Sequence, residues 1–266
     1  MRTGVSRKGL AHGFNVMVNV IKALILRELK TRFGSYRFGY AWILAEPLAH
    51  VIILSLVFGV RGRVGPLGID FPAFVATGII PWTLFYSMVT RGMSSIEANR
   101  PLFTYRQVRP LDALIARSIL EICIYSVVFV VFMFGLWAVG FDARVKDPLG
   151  VMFATFSLAG FGFGIGLIAA VLTVPLPDVA KIIPIVIRPI YLISGIFFSV
   201  DQLPTELRDV VLWNPVLHAL EIIRANYFVN MSASHGDVEY FAWFVVVPLV
   251  VGLTLLTLFH QKLIST

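Results

Sequence analysis

The stretch LDALIARSILEICIYSVVFVVFMFGLWAVGF, residues 111–141, decides what kind of protein this is. Its opening part carries Asp112, Arg117 and Glu121, and from Ile122 to Phe141 it has no charged residue at all. A helix needs about 20 mainly apolar residues to cross about 30 Å of hydrocarbon, and this run exceeds that length, so it tilts or protrudes. The rest of the chain agrees with it. Hydrophobic residues make up 58% of the 266 positions, charged residues only 14%, and the mean hydropathy is +0.85. A soluble domain of this size carries more polar surface than that, whereas an integral membrane protein does not.

Working outward, five further apolar segments have spanning length: 39–60, 71–90, 149–176, 182–200 and 241–259. Gly78 and Pro81 interrupt the second of these. No segment alternates at period two, so the spans read as helices, which bond their own backbone groups internally, and not as a barrel. Cys123 is the only cysteine, which excludes an intramolecular disulfide and a cysteine metal site. The start does not read as a signal peptide, because basic residues continue through Arg37.

Six spans divide the loops into two sets. Lys and Arg number fourteen on the side that holds both termini and six on the other. The positive-inside rule therefore places both termini in the cytoplasm. The net charge of +7 is mostly this topology signal, and nucleic acid is set aside as a partner.

Before the first span, Phe14, Met17, Val18, Ile21, Leu24 and Ile25 recur at helical spacing, with Asn19, Lys22, Arg27 and Lys30 on other faces. Residues 1–38 thus read as a cytoplasmic tail with an amphipathic interface helix, and 39–266 as the membrane domain. Glu28 and Arg32 fall near the apolar face and spoil it. The stretch FGSYRFGYAW, residues 33–42, turns the chain inward, with Tyr36, Tyr40 and Trp42 suited to headgroup level.

Ionisable groups at membrane depth are costly, so each needs an account. Glu46 and His50 are four apart around Pro47, Arg117 and Glu121 are four apart in 111–141, and Arg188 precedes Pro189. Spacing of four puts side chains on one helix face, which predicts an intramembrane ion pair between Arg117 and Glu121. No series of acids and histidines runs through the spans, so structural pairing is expected in preference to a proton relay. In GFGFGIG, residues 160–166, both 160/164 and 162/166 have the small-xxx-small spacing of close helix packing. It is not a phosphate loop, since no Gly-Lys-Ser/Thr follows.

Two loops are unusual. In RGMSSIEANRPLFTYRQVRP, residues 91–110, Ser94-x-x-Glu97 has the pattern of a capping box and Pro101 limits the helix it would start. Phe103 and Tyr105 read as exposed, and Pro110 with Asp112 starts the next span. A short helix held at both ends and rimmed by arginine suits protein docking. On the opposite side, residues 201–228 are too polar to span and too apolar for a free loop. Pro204 starts one short helix ending near Trp213, and Asn214-Pro215 reads as N-cap and first position of another. His218, Glu221 and Arg224 share its edge, and the pair would dip into the outer leaflet and return against protein or water. His218 and Glu221 lack a third metal ligand. Trp82, Phe85 and Tyr86 follow Pro81, where an aromatic pore lining is plausible beside the bland reading as interfacial rings.

Three stretches carry a resemblance: LRELKTRFGSYRFGYAWILAEPLAH (26–50), IEANRPLFTYRQVRPLDALIARSILE (96–121) and LWNPVLHALEIIR (212–224). In order and with six spans between, the chain resembles type-2 ABC export permeases, specifically the membrane subunit of capsular polysaccharide exporters. The resemblance implies an all-α integral membrane fold with six transmembrane helices, an interface helix, a cytoplasmic coupling helix and re-entrant outer helices before the last span. It implies a homodimer bound to two nucleotide-binding ATPase subunits, with Ser94, Ser95, Ile96, Glu97, Ala98, Asn99 and Arg100 as the coupling helix. Trp213, Asn214, Pro215, His218, Glu221 and Arg224 would belong to the re-entrant gate, and Tyr40, Trp42, Trp82, Phe85 and Tyr86 to the glycan path. The implied cargo is a lipid-linked acidic polysaccharide leaving the bacterial inner membrane toward a periplasmic adaptor and an outer-membrane export protein. The chain carries no Walker A stretch, so ATP and its magnesium would be held by the partner ATPase and no cofactor by this chain. A permease for another lipid-linked glycan (O antigen or teichoic acid) or for a lipid stays open, and a membrane glycan-modifying enzyme is the remaining alternative.

Overall fold

The structure, a computed structural model, describes residues 7–33, 39–59, 65–232 and 235–265. Among them are ten α-helices and no β-strand. They are α1 Arg7–Phe33, α2 Gly39–Gly59, α3 Phe71–Met93, α4 Ser95–Asn99, α5 Pro110–Ala138, α6 Pro148–Thr173, α7 Val179–Ile193, α8 Thr205–Val211, α9 Pro215–Tyr227 and α10 Val238–Ser265. Tyr36 and the side chains of Tyr40 and Glu46 lie outside the described residues.

Proline at the first helical position sets three of the helix starts, because its fixed φ is already helical and its missing N–H would have no partner there. Arg109 before Pro110 is extended, with ψ 151°, and Asp112 accepts its N–H at 3.0 Å. Asp147 before Pro148 accepts the Leu149 N–H at 3.1 Å, and Asn214 before Pro215 accepts the Val216 N–H at 3.0 Å. The Asn214 cap and the Pro110–Asp112 start match the sequence expectation.

Among the described residues four helices are long and apolar enough to cross a membrane: α3, α5, α6 and the Val238–Gln261 part of α10. The 21 residues of α2 extend over about 31 Å at 1.5 Å per residue, whereas the 15 of α7 extend over about 22 Å. The bounds expected for the apolar segment at 182–200 are therefore corrected. Its helix ends at Ile193, and the chain turns at Gly195, whose φ of 73° suits a residue without Cβ. Ile196 and Val200 are then buried beside α9, so the apolar residues that made the segment look like a longer helix fill a packed turn. Pro184 and Pro189 inside α7 each remove a helical N–H donor.

The segment that Gly78 and Pro81 interrupt in sequence is the centre of the fold. Despite Gly78 and Pro81, α3 is continuous and almost wholly buried, packed by α2, α5, α6, α7 and α9. Outside it, α5, α6, α7 and α10 expose apolar side chains such as Val130, Phe134, Phe153, Ile185 and Val250, as lipid contact requires.

The stripe in α6 works on two sides within one subunit. A Cβ on Gly162 would stand 2.8 Å from Met88 Cβ, and one on Gly166 would stand 2.7 Å from the Met88 carbonyl oxygen, both on α3. A Cβ on Gly164 would stand 2.8 Å from Leu249 N, beside Pro248 of α10. Helices in lipid gain little from mutual burial of apolar surface, so this backbone approach supplies the contact instead. We expect Gly166→Ala to destabilise the protein by about 1–3 kcal/mol through overpacking. Gly160→Ala, whose new atom meets only Val245 Cγ1 at 3.3 Å, should be much milder. Thermal unfolding of the two variants in detergent checks the order.

Candidate coupling and gating sites

The packed helices leave two ends, one holding α4 and the other the α8–α9 hairpin. At the first, Leu24, Ile96, Phe103, Leu114, Leu167 and Leu263 form a cluster that joins α1, α4, α5, α6 and α10. Ile96 is fully buried in it, and Phe103, which the sequence suggested was exposed, is buried as well. The 3-10 turn Arg100–Thr104 folds Phe103 back under the loop while Tyr105 stays 65% exposed. Asn99 is buried too, its Nδ2 donating to the Ser95 carbonyl at 2.7 Å and its Oδ1 accepting from Arg27 of α1. Ser95, Ile96 and Asn99 thus root α4, while Ser94, Glu97 and Ala98 face outward with Arg100 half-exposed beside them.

The capping box is not formed. Ser94 Oγ donates to the Arg91 carbonyl at 3.2 Å and accepts from Arg117 Nη1 at 3.0 Å, and Glu97 pairs with Arg100 at 3.0 Å. The reason is that α3 runs almost directly into α4. The Ser94 N–H bonds to the Thr90 carbonyl, so this is no isolated helix start with a full set of orphan donors.

The expected pair between Arg117 and Glu121 is also corrected. Each binds α1 instead: Arg117 Nε lies 3.1 Å from Glu28 Oε1, and Glu121 Oε1 lies 2.5 Å from Arg32 Nη1 and 3.0 Å from Arg91 Nε. Glu28 and Arg32 on α1 are four apart, as are Arg117 and Glu121 on α5, with the charges in opposite order. Two cross-helix rungs result, and Arg91 closes them onto the end of α3. The residues that spoil the apolar face of α1 are the ones that hold it in place. Arg117 Nη1 also donates to the Arg91 carbonyl at 3.0 Å, so the same guanidinium ties α1, α3 and α5.

At the other end, α9 is buried along nearly its whole length, packed against α3, α6 and α10. Of the expected gate residues, Trp213 is 80% exposed, while Asn214, His218, Glu221 and Arg224 are buried. Asn214 Nδ2 donates to Ser194 Oγ at 2.9 Å, which joins the hairpin to the end of α7. His218 Nδ1 accepts the Asp237 N–H at 3.0 Å, so Nε2 must carry the proton it shares with the Leu212 carbonyl at 2.7 Å. Both ring nitrogens are spent on backbone.

Arg224 is the anchor of this end. Its guanidinium donates to the carbonyls of Gly195 at 2.5 Å, Ile196 at 3.1 Å and Phe74 at 3.3 Å, and lies 3.7 Å over the Phe74 ring. Glu221 Oε1 is 3.9 Å away. A Cβ on Gly78 would meet Arg224 Nη2 at 2.7 Å, so the glycine that seemed to weaken α3 makes room for this group. Phe74, Gly78 and Gly195 were not legible as site residues, since each matters only through Arg224 from far along the chain.

The aromatic residues separate. Trp82 and Tyr86 line a groove of about 480 Å³ with His50 of α2, Thr83, and Arg188 and Tyr191 of α7. The rings of Trp82 and Tyr191 have centroids 5.5 Å apart. Phe85 turns away from the groove and stacks on Phe161 at 5.2 Å, and Trp42 is 73% exposed on α2.

Residues 19–228 match the family described as ABC-2 type transporter. The chain belongs to this family. Among its relatives, the polysialic acid transport protein KpsM of Escherichia coli is 38% identical over 244 residues, 91% of this chain and 94% of that protein. The capsule polysaccharide export inner-membrane protein CtrC of Neisseria meningitidis serogroup A is 30% identical, covering 92% of this chain and 93% of CtrC. The O-antigen export system permease protein RfbA of Klebsiella pneumoniae is 22% identical over 92% of this chain and 94% of RfbA. The matched region of the family contains the ionic rungs, α4, the groove and α9.

Glu121 is 2% exposed and serves two arginines, so its neutralisation strands two partly buried charges. Glu121→Gln should cost about 3–5 kcal/mol. Glu97→Gln, at a surface pair, should cost about 1 kcal/mol or less. Thermal unfolding reads the difference, and faster amide exchange along α1 in the Glu121 variant shows that the rungs are what hold it.

Proposed function

We propose that this chain is the permease subunit of an ATP-driven ABC exporter that moves a lipid-linked, acidic capsular polysaccharide from the cytoplasm across the bacterial inner membrane. It works as a homodimer with two separate ATPase subunits, with a periplasmic adaptor and an outer-membrane export protein completing the route. The chain itself performs no catalysis. ATP and magnesium belong to the ATPase subunits.

The observation that carries the reading is the mounting of α4. A five-residue helix is rooted in the bundle by Ile96 and Asn99 and turns Glu97 and Ala98 outward. Behind it, Ser94 and Arg117 connect it to the rungs that bind α1, α3 and α5. A push on its outer face therefore reaches three helices through charge-assisted bonds and a shared apolar cluster, with little give in between. That is the mechanical requirement of a subunit driven by an external ATPase. Names of relatives that share over nine-tenths of the chain support the cargo class. The 22% identity to a protein named as an O-antigen permease keeps another lipid-linked glycan as the second reading.

In this reading α2 and α7 complete six spans with the four long apolar helices. Both termini and α4 lie on the cytoplasmic side, and α8–α9 packs re-entrantly from the periplasmic side as part of the exit. Trp82 and Tyr86 face the polymer. Aromatic faces suit a translocating sugar because they offer contact area without directional bonds that would hold it.

Glu97→Arg should leave the folded dimer in the membrane while abolishing export and the stimulation of the ATPase by the permease. Normal export with unchanged stimulation would sink the coupling role of α4. In a Cys123→Ser background, Asn230→Cys should react with a membrane-impermeant maleimide added from the periplasm. Labelling from the cytoplasm alone would reverse the orientation.

A further inference from the structure

The outward face of α7 is apolar, with Ile182, Ile185, Val186 and Leu192 exposed, and Arg188 interrupts it. Arg188 lies nine residues into the helix, about 14 Å from its start, which is near the middle of a 30 Å hydrocarbon layer. The arginines Arg32, Arg91, Arg117 and Arg224, also inside or beside the bundle, are each paired with a carboxylate. Arg188 makes no ion pair or hydrogen bond with any described residue. A guanidinium left facing lipid at this depth is costly, so it must face water or meet an anion.

Its surroundings favour the anion. Arg188 shares the groove of about 480 Å³ with His50, Trp82, Thr83, Tyr86 and Tyr191, a volume typical of ligand sites. No carboxylate lines this groove among the described residues. The planar guanidinium fork matches two oxygens of one oxyanion, and the ring faces beside it suit a sugar or a lipid-linked headgroup.

We infer that the groove between α2, α3 and α7 is a binding site for an oxyanion of the cargo, a sugar carboxylate or the phosphate of the lipid linkage, with Arg188 as its bidentate partner. This deepens the export reading above by giving the path selectivity for charge. Cargo bearing such groups enters the site; a neutral polymer of the same length binds it less well.

The test uses the complete permease–ATPase complex in nanodiscs. Its probes are a fluorescent hyaluronan decasaccharide, the same oligomer with its carboxyl groups reduced, and dioleoyl phosphatidate against dioleoyl glycerol. The wild-type complex should prefer the anionic member of at least one pair by about tenfold, as loss of a charged hydrogen bond implies. Raised ionic strength should shrink that preference. Arg188→Gln should remove it, Arg188→Lys should restore part of it, and Thr83→Asp should remove it with Arg188 still present. Loss confined to the hyaluronan pair assigns sugar carboxylates, and loss confined to the phosphatidate pair assigns the linkage phosphate; both support the site. The inference is overturned if the wild-type complex shows no preference, or if Arg188→Gln and Thr83→Asp leave it intact. It is also overturned if Arg188→Gln dissociates the dimer while the preference persists, which would give Arg188 to the second copy. The export reading fails separately, if cells lacking the chain still display surface polysaccharide.

Discussion

Charge cannot be left unpaired where α1, α3 and α5 meet, and the arrangement of that end of the molecule follows from this constraint. Removing one member of a buried pair strands the other, so the rungs Glu28–Arg117 and Arg32–Glu121 hold α1 to one register on α5. Arg91 then draws the last turn of α3 into the same network, and Ser94 accepts from Arg117 where α4 begins. The position of α4 relative to the bundle is thus set by electrostatics and by Ile96 together, and not by its own five residues. A helix that short has no independent stability.

The opposite end obeys the same rule with different materials. Arg224 satisfies its donors on three backbone carbonyls and the face of Phe74, which pins α9 to α3 and to the turn after α7. Between the two ends, α6 lies against α3 on one side and α10 on the other through glycines that let backbones approach. Both ends and the centre are therefore tightly determined. The groove beside α7 is different, being concave, partly aromatic and lined by a cation without a partner among the described residues. Contrast between a stiff frame and an open groove is what a driven transport subunit needs.

Much of this was legible from local pattern. Hydrophobic run length marked the apolar helices, and Asn214-Pro215 and Pro110 with Asp112 marked helix starts, because caps involve residues two or three apart. The glycine spacing of 160–166 announced close packing. Other readings failed where a distant element took over a local group. Ser94 and Glu97 look like a capping box, but α3 runs into α4 and leaves no free start to cap. Phe103 looked exposed, but the turn at Arg100–Thr104 folds it under the loop. Residues 194–200 looked like the end of a span, yet they pack in a turn around Arg224.

By itself the sequence determined the membrane character, the apolar helices, most helix starts and the uneven distribution of basic residues, and its motifs matched the family. Each of these depends on composition or on spacing within about one turn of helix. Only the tertiary structure decided which charge meets which. Arg117 and Glu121 sit on one face of α5 and would pair with each other if α5 stood alone. With α1 alongside, Glu28 and Arg32 offer each of them an opposite charge across the helix interface. The same holds in reverse for Arg188, whose neighbours in sequence are apolar. Its meaning comes from a histidine on α2 and aromatic rings on α3, brought to it from more than a hundred residues away because packing, not sequence separation, sets the distance over which a charge is felt.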